Sequence, residues 1–213
     1  DYRVVLVTDP LCSWCWGMAD AFEAFRAEWG QHVDCDFFLG GVNVHATQNI
    51  GDWGQRMLMR LWQEVHETTG QQFSFVIPDH YVHNSMLPCL AVEAVRQTLG
   101  PPAGLQAIYH LQRSFFALGQ NITDLSTITE SLTSTLNGDT SCLTHLYEPS
   151  LLQRVRFQFE HARSYGTQAL PAVLIGPVKH EIAQLRLLAG GFVDAPMLGQ
   201  LVAQALPADI RNS

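Results

Sequence analysis

No second Cys-x-x-Cys and no His-x-x-x-His stands anywhere in these 213 residues. Structural zinc takes four ligands, usually from two such pairs, so the lone pair Cys12 and Cys15 is disfavoured as half a metal site. No Lys/Arg cluster occurs and the net charge is −8, which argues against nucleic acid and against an anionic membrane surface as partners. No apolar run approaches the roughly 20 residues that cross a bilayer. Gly-rich phosphate loops and a Gly-x-Ser-x-Gly elbow are absent. A signal-peptide pattern is missing too: Val4–Val7 is too short for an h-region and has no basic flank. The expectation is therefore a cytoplasmic protein. Cysteine is scarce at five residues, an odd number in a chain too long for a small disulfide scaffold. Hydrophobic residues at 47 % and charged residues at 15 % suit an ordinary buried core.

What the chain does have is Asp9-Pro10-Leu11-Cys12-Ser13-Trp14-Cys15-Trp16-Gly17. It follows the apolar run Val4–Val7, a buried strand, and precedes Ala19, Phe22 and Trp29 at helical spacing. The first N–H groups of a helix lack intrahelical partners and carry partial positive charge. A sulfur at that end is stabilised as thiolate. Cys12 takes that place, and Cys15 lies about one turn on, on the same face and further inside. The pair reads as a nucleophile and its resolving partner. Trp14 and Trp16 flank the sulfurs, one reading as core and the other as an apolar surface for substrate. Asp9 reads either as a turn and capping residue or as a proton relay to Cys15.

Residues 3–8 read as a strand, 12–29 as a helix stopped by Gly30, and the alternation of Val33, Cys35, Phe37 and Leu39 as a second strand. A βαβ unit with Cys-x-x-Cys at its first helix is a thioredoxin-like signal. The next stretch has no strand pattern. Trp53, Met57, Leu61 and Val65 recur every four residues, a helix whose inner face they form. Further helices are carried by Leu87, Leu90, Ala94 and Leu99; by Leu105, Ile108, Leu111 and Phe115; and by Leu125, Ile128, Leu132 and Leu136 behind Asp124. His80 and His83, beside Asp79 and Tyr81, read as a solvated loop. Cys89 follows Pro88 near a helix start and reads as packed, or as an auxiliary thiol. Pro149 opens a helix with Leu152, Val155, Phe159 and Ala162 inside. An apolar strand follows Pro171, a hairpin partner falls within 181–189, and a last helix spans about 195–206. The order predicts an α/β domain, residues 1–45 and 149–213, interrupted by a helical insertion, 46–148.

On Asp9–Gly17, on Gly166-Thr167-Gln168-Ala169-Leu170-Pro171-Ala172-Val173 and, more loosely, on Asn84-Ser85-Met86-Leu87-Pro88-Cys89-Leu90-Ala91-Val92, the chain resembles DsbA-like proteins of the thioredoxin superfamily, in particular the FrnE-like group of predicted disulfide isomerases. The resemblance implies a thioredoxin fold with a large helical insertion and thiol–disulfide exchange on protein disulfides through Cys12 and Cys15. It implies no bound cofactor, and glutathione or another thiol protein as redox partner. It implies a cis Leu170–Pro171 bond beside the cysteines, with the Leu170 backbone turned out to pair with a peptide. Ser13, Trp14, Trp16, Leu170 and Pro171 become the substrate-binding set. The dipeptide Ser13-Trp14 departs from strongly oxidising members, which carry a histidine there, so the reduction potential is open across about −270 to −120 mV. Kappa-class glutathione transferases and 2-hydroxychromene-2-carboxylate isomerases resemble the same architecture but use a serine as nucleophile. With Ser13 beside Cys12, a glutathione-dependent transferase or isomerase is the alternative.

Overall fold

A computed structural model describes residues 1–178 and 184–207. Strand β1 (Tyr2–Thr8) leads through a tight turn into helix α1 (Ser13–Trp29), and β2 (Asp34–Leu39) follows. Four helices come next: α2 (Gly51–Thr69), α3 (Met86–Leu99), α4 (Pro101–Gln112) and α5 (Leu125–Leu132). Then α6 (Pro149–His161), β3 (Ala172–Pro177), β4 (Arg186–Gly190) and α7 (Ala195–Ala205) complete the chain. This is the predicted order. The hairpin partner of β3 is found at Arg186–Gly190, while 181–183 fall outside the described residues.

The sheet runs β2-β1-β3-β4, with β1 parallel to β2 and antiparallel to β3. Val4–Val7 can be apolar without a break because β1 is central and covered on both sides. Val4 and Leu6 join Phe37, Leu39, Val173 and Ile175 in one large core that also takes in α1, α7 and the insertion. Val5 and Val7 face the other way, onto Phe38, Ala172, Leu174 and Ala162. The insertion therefore shares the sheet's core rather than forming one of its own. No helix among the described residues is long and apolar enough to cross a membrane.

Several predicted faces need correction. Helix α2 forms where four-residue spacing puts it, but Trp53 is 69 % and Met57 43 % exposed; Trp62 and Val65 make the buried contact. The reason is geometric: a helix turns about 100° per residue, so a strict step of four drifts some 40° each time and walks off the inner face. Leu99 and Leu125, expected inside, are exposed at their helix ends. Helix α4 starts at Pro101, because proline suits the first turn, where no amide donor is needed.

Helices α1 and α2 approach closely at Gly17. A Cβ there would lie 2.6 Å from Val65 Cγ1 and 3.1 Å from Thr69 Cγ2. Alanine gains up to about 1 kcal/mol of helix propensity over glycine, whereas overpacking a core contact costs about 1–3 kcal/mol. Gly17→Ala is expected to be net destabilising, lowering the thermal midpoint by a few degrees at about 2–4 °C per kcal/mol. Thermal melts followed by circular dichroism check this; an unchanged or raised midpoint contradicts the close-approach argument.

Candidate active site

The turn from β1 into α1 is held by one carboxylate. Asp9 is fully buried. Its Oδ1 accepts the Leu11 N–H at 2.9 Å, and its Oδ2 accepts the Gly41 N–H at 2.9 Å and the Ser85 hydroxyl at 2.8 Å. The Cys89 thiol also donates to Oδ2, at 3.4 Å. The Asp9 carbonyl takes the Cys12 N–H and the Gln112 side-chain amide. Burial pushes the Asp9 carboxyl above its ordinary value, against the pull of its hydrogen bonds, of which Leu11 is the foremost. Of the two expectations for Asp9, the turn role is what this geometry displays.

Cys12 is the N-cap of α1, not its first helical residue. Its backbone is extended (φ −84°, ψ 116°), and its sulfur accepts the Cys15 N–H at 3.2 Å. That is the bond a serine or aspartate oxygen makes at a helix start. A sulfur there sits among the unpaired N–H groups of the first turn. Cys12 is half-buried, whereas Cys15 is 3 % exposed; both are free thiols. Burial first, then the hydrogen bond and charge of Cys12, push the Cys15 thiol well above its ordinary value. The Thr8 hydroxyl, on the same small cavity as Cys15, works the other way. Sequence reading missed Thr8; ending a buried strand four residues before Cys12 was the available signal.

The proposed substrate contacts divide. Trp14 and Leu170 are half-buried and retain surface. Trp16 is a correction: it is 2 % exposed, donates its indole N–H to the Gln72 carbonyl at 2.8 Å, and stacks on Phe116. Its ring fastens α1 to the insertion and offers nothing to a peptide. Ser13, 3 % exposed, is a second correction, because its side chain faces inward. The Leu170–Pro171 bond is cis, as expected. Val7 pairs with Ala172, so the register sets Pro171 across from Thr8, at the end of β1 that carries the cysteines.

The auxiliary-thiol reading of Cys89 is overturned. The side chain is fully buried, and burial, with the Asp9 charge behind it, holds the thiol protonated. Cys35 is a half-buried thiol pushed up to about 11 by desolvation. His83 is not in a solvated loop: it is 8 % exposed, with Nδ1 2.6 Å from the Tyr81 hydroxyl. Among the described residues no cluster of three His, Cys, Asp or Glu is placed to hold a metal.

No family model matches this chain, and no curated protein does. Solved structures do. The "putative protein disulfide isomerase" of Nitrosomonas europaea superposes with a TM-score of 0.81 at 24 % identity, covering 95 % of this chain and 97 % of that one. The cytosolic disulfide reductase DsbM of Pseudomonas aeruginosa gives 0.70 at 21 %, with coverage of 99 % and 95 %. A 2-hydroxychromene-2-carboxylate isomerase gives 0.63 at 12 %, with coverage of 95 % and 94 %.

Burial lowers the His83 imidazole to about 4, from an ordinary 6.5. The unfolded chain then binds the proton first, so stability falls as pH drops from about 6.5 to about 4, by roughly 3 kcal/mol from this group. His83→Gln keeps an acceptor for Tyr81 but does not titrate. Urea unfolding between those pH values is expected to show a shallower acid loss in the variant; parallel slopes contradict the assignment. By its sheet order, its helical insertion and these likenesses, the chain has the DsbA-like thioredoxin fold.

Proposed function

We propose that the protein is a thiol–disulfide oxidoreductase acting on protein or peptide disulfides through Cys12 and Cys15. One observation carries the reading: a half-exposed sulfur caps the helix while a second, buried sulfur follows one turn inside. As a reductase, the Cys12 thiolate attacks a substrate disulfide and displaces one substrate thiolate, forming a mixed disulfide. Cys15 then attacks the Cys12 sulfur, and the second substrate thiolate leaves. The substrate gains two electrons and the protein becomes the Cys12–Cys15 disulfide. The same steps reversed make an oxidase, and incomplete cycles make an isomerase.

The reading is supported by the fold shared with the disulfide reductase and the disulfide isomerase named above. A crystal of the Pseudomonas reductase carries GSH, and glutathione or another thiol protein is the proposed partner that resets the pair here. The serine-nucleophile alternative loses ground, because Ser13 is buried and the capping position belongs to Cys12. Trp14 and Leu170 supply the proposed apolar contact for substrate.

In an insulin-reduction assay, Cys12→Ser is expected to fall to background. Cys15→Ser is expected to accumulate mixed disulfides, visible by mass spectrometry and released by dithiothreitol. Full activity in both variants sinks the proposal. Trp14→Ala is expected to raise KM for a peptide disulfide several-fold, in keeping with tryptophan's weight at contact sites. Its rate with a small aromatic disulfide should not change. Equal loss on both substrates places Trp14 outside the peptide contact.

A further inference from the structure

Cys15 has a difficulty that Cys12 does not. It must become a thiolate to close the disulfide, yet it is 3 % exposed. In the mixed disulfide the Cys12 sulfur is bonded and uncharged, so what opposes Cys15 ionisation at this step is burial and the charge of the Asp9 carboxylate. Asp9 is also badly placed to take the proton, since both its oxygens are occupied by the donors from Leu11, Gly41, Ser85 and Cys89. The group that favours the thiolate is the hydroxyl of Thr8, 1 % exposed at the end of β1.

Beyond Thr8 lies a small chamber of about 20 Å³ between α1 and α4. Thr8 and Cys15 line it, as do Gln112, Tyr109 and Glu23. A space of this size takes one water molecule when polar partners surround it. Ala19, Phe22 and Glu23 follow Cys15 along its α1 wall. Glu23 and Tyr109 are each partly exposed, and Tyr109 donates to Asp20 at 3.1 Å.

We propose that Thr8 is the positioning residue of the resolving step: its hydroxyl holds the Cys15 sulfur for attack on the mixed disulfide, and the chamber carries the proton of Cys15 to solvent past Glu23 and Tyr109. The inference rests on the roles given above to the two thiols. The step balances. The Cys15 S–H bond breaks and its proton passes to water. The thiolate forms a bond to the Cys12 sulfur, and the bond from Cys12 to substrate breaks. The departing thiolate takes the electron pair and is protonated by solvent.

Reduced protein mixed with dithiobis(nitrobenzoate) separates the two steps by stopped flow. A first coloured thiolate reports attack by Cys12, and a second reports resolution by Cys15. Thr8→Val, which keeps the shape and removes the hydroxyl, is expected to leave the first release unchanged. The pH midpoint of the second should rise by about one unit, the scale of one lost hydrogen bond to a charged group. Nucleophilicity rises with basicity, with a coefficient of about 0.4–0.5, so the second release at about pH 7 should slow only about threefold. Thr8→Ser should restore both. A second release in Thr8→Val that matches the unaltered protein in rate and midpoint overturns the role of Thr8. Ala19→Val narrows the chamber, and Leu105→Phe fills it from α4 should the first variant not fold. Either is expected to slow the second release alone, and an unchanged second release overturns the exit route. Absence of any first release from the unaltered protein is a different result, and it overturns the thiol-exchange reading itself.

Discussion

A buried carboxylate that accepts from four donors is the constraint from which the site's geometry follows. Removing a carboxylate from water is costly, and the cost is offset only when its lone pairs are filled. Asp9 fills them from three places: the Leu11 amide of its own turn, the Gly41 amide beyond β2, and the Ser85 and Cys89 side chains at the start of α3. Each of these needs Asp9 as much as Asp9 needs it, since an orphaned buried amide costs about 1–3 kcal/mol. The turn carrying Cys12, the end of the second strand and the helical insertion are thereby locked to one point. Val42 and Ser85 reinforce it, each donating a backbone N–H to the other residue. The Ser85 hydroxyl is thus donor to Asp9 and acceptor from Val42, with both of its roles used.

With the turn fixed, the helix sets how far each thiol is exposed. Residue 12 caps the helix and keeps solvent contact, while residue 15, one turn in, is covered by the core that α1 makes with the sheet and α4. The same turn sends Trp16 away from solvent, into the aromatic cluster of Tyr109, Phe116 and, through Phe116, Trp62. Trp16, next to Cys15, is thus a structural bolt, and Trp14 is the flanking tryptophan that keeps surface. The difference in exposure between two identical side chains comes from helix phase.

Helix phase also explains what the sequence disclosed and what it hid. Strand β1 and helix α1 were legible because Val4–Val7 and the Cys-x-x-Cys are local signals. The cis Leu170–Pro171 bond was legible only through the family likeness, since nothing local marks it. Inner faces were less so: a step of four suggested Trp53 and Met57, and the drift of 40° per step left them in solvent. Burial set by tertiary packing was hidden altogether. His83 looks like a loop histidine until Tyr81 is seen folded over it, and Cys89 looks like a reactive helix-start thiol until Asp9 is found against it. Thr8, a polar residue ending an apolar strand, carried a signal that only the position of Cys15 makes readable.

The Asp9 cluster also bears on how the chemistry is organised. A carboxylate beside two cysteines invites the role of proton acceptor, and proximity alone does not decide it. Oδ2 of Asp9 is spent on Gly41 and α3, and Oδ1 already holds the Leu11 amide of the turn. Protonating it would weaken the bonds that hold the turn before Cys12. Its charge, moreover, raises the thiol it would have to deprotonate. Structure and proton transfer are therefore better served by different residues. The polar surface left near Cys15 runs the other way, past Thr8 and Gln112 toward the face between α1 and α4. Gln112 joins the two systems, since its amide N–H₂ is given to the Asp9 carbonyl while its side chain lines the chamber. An arrangement of this kind lets the turn stay rigid through the redox cycle while the proton of Cys15 moves on the far side of the sulfur.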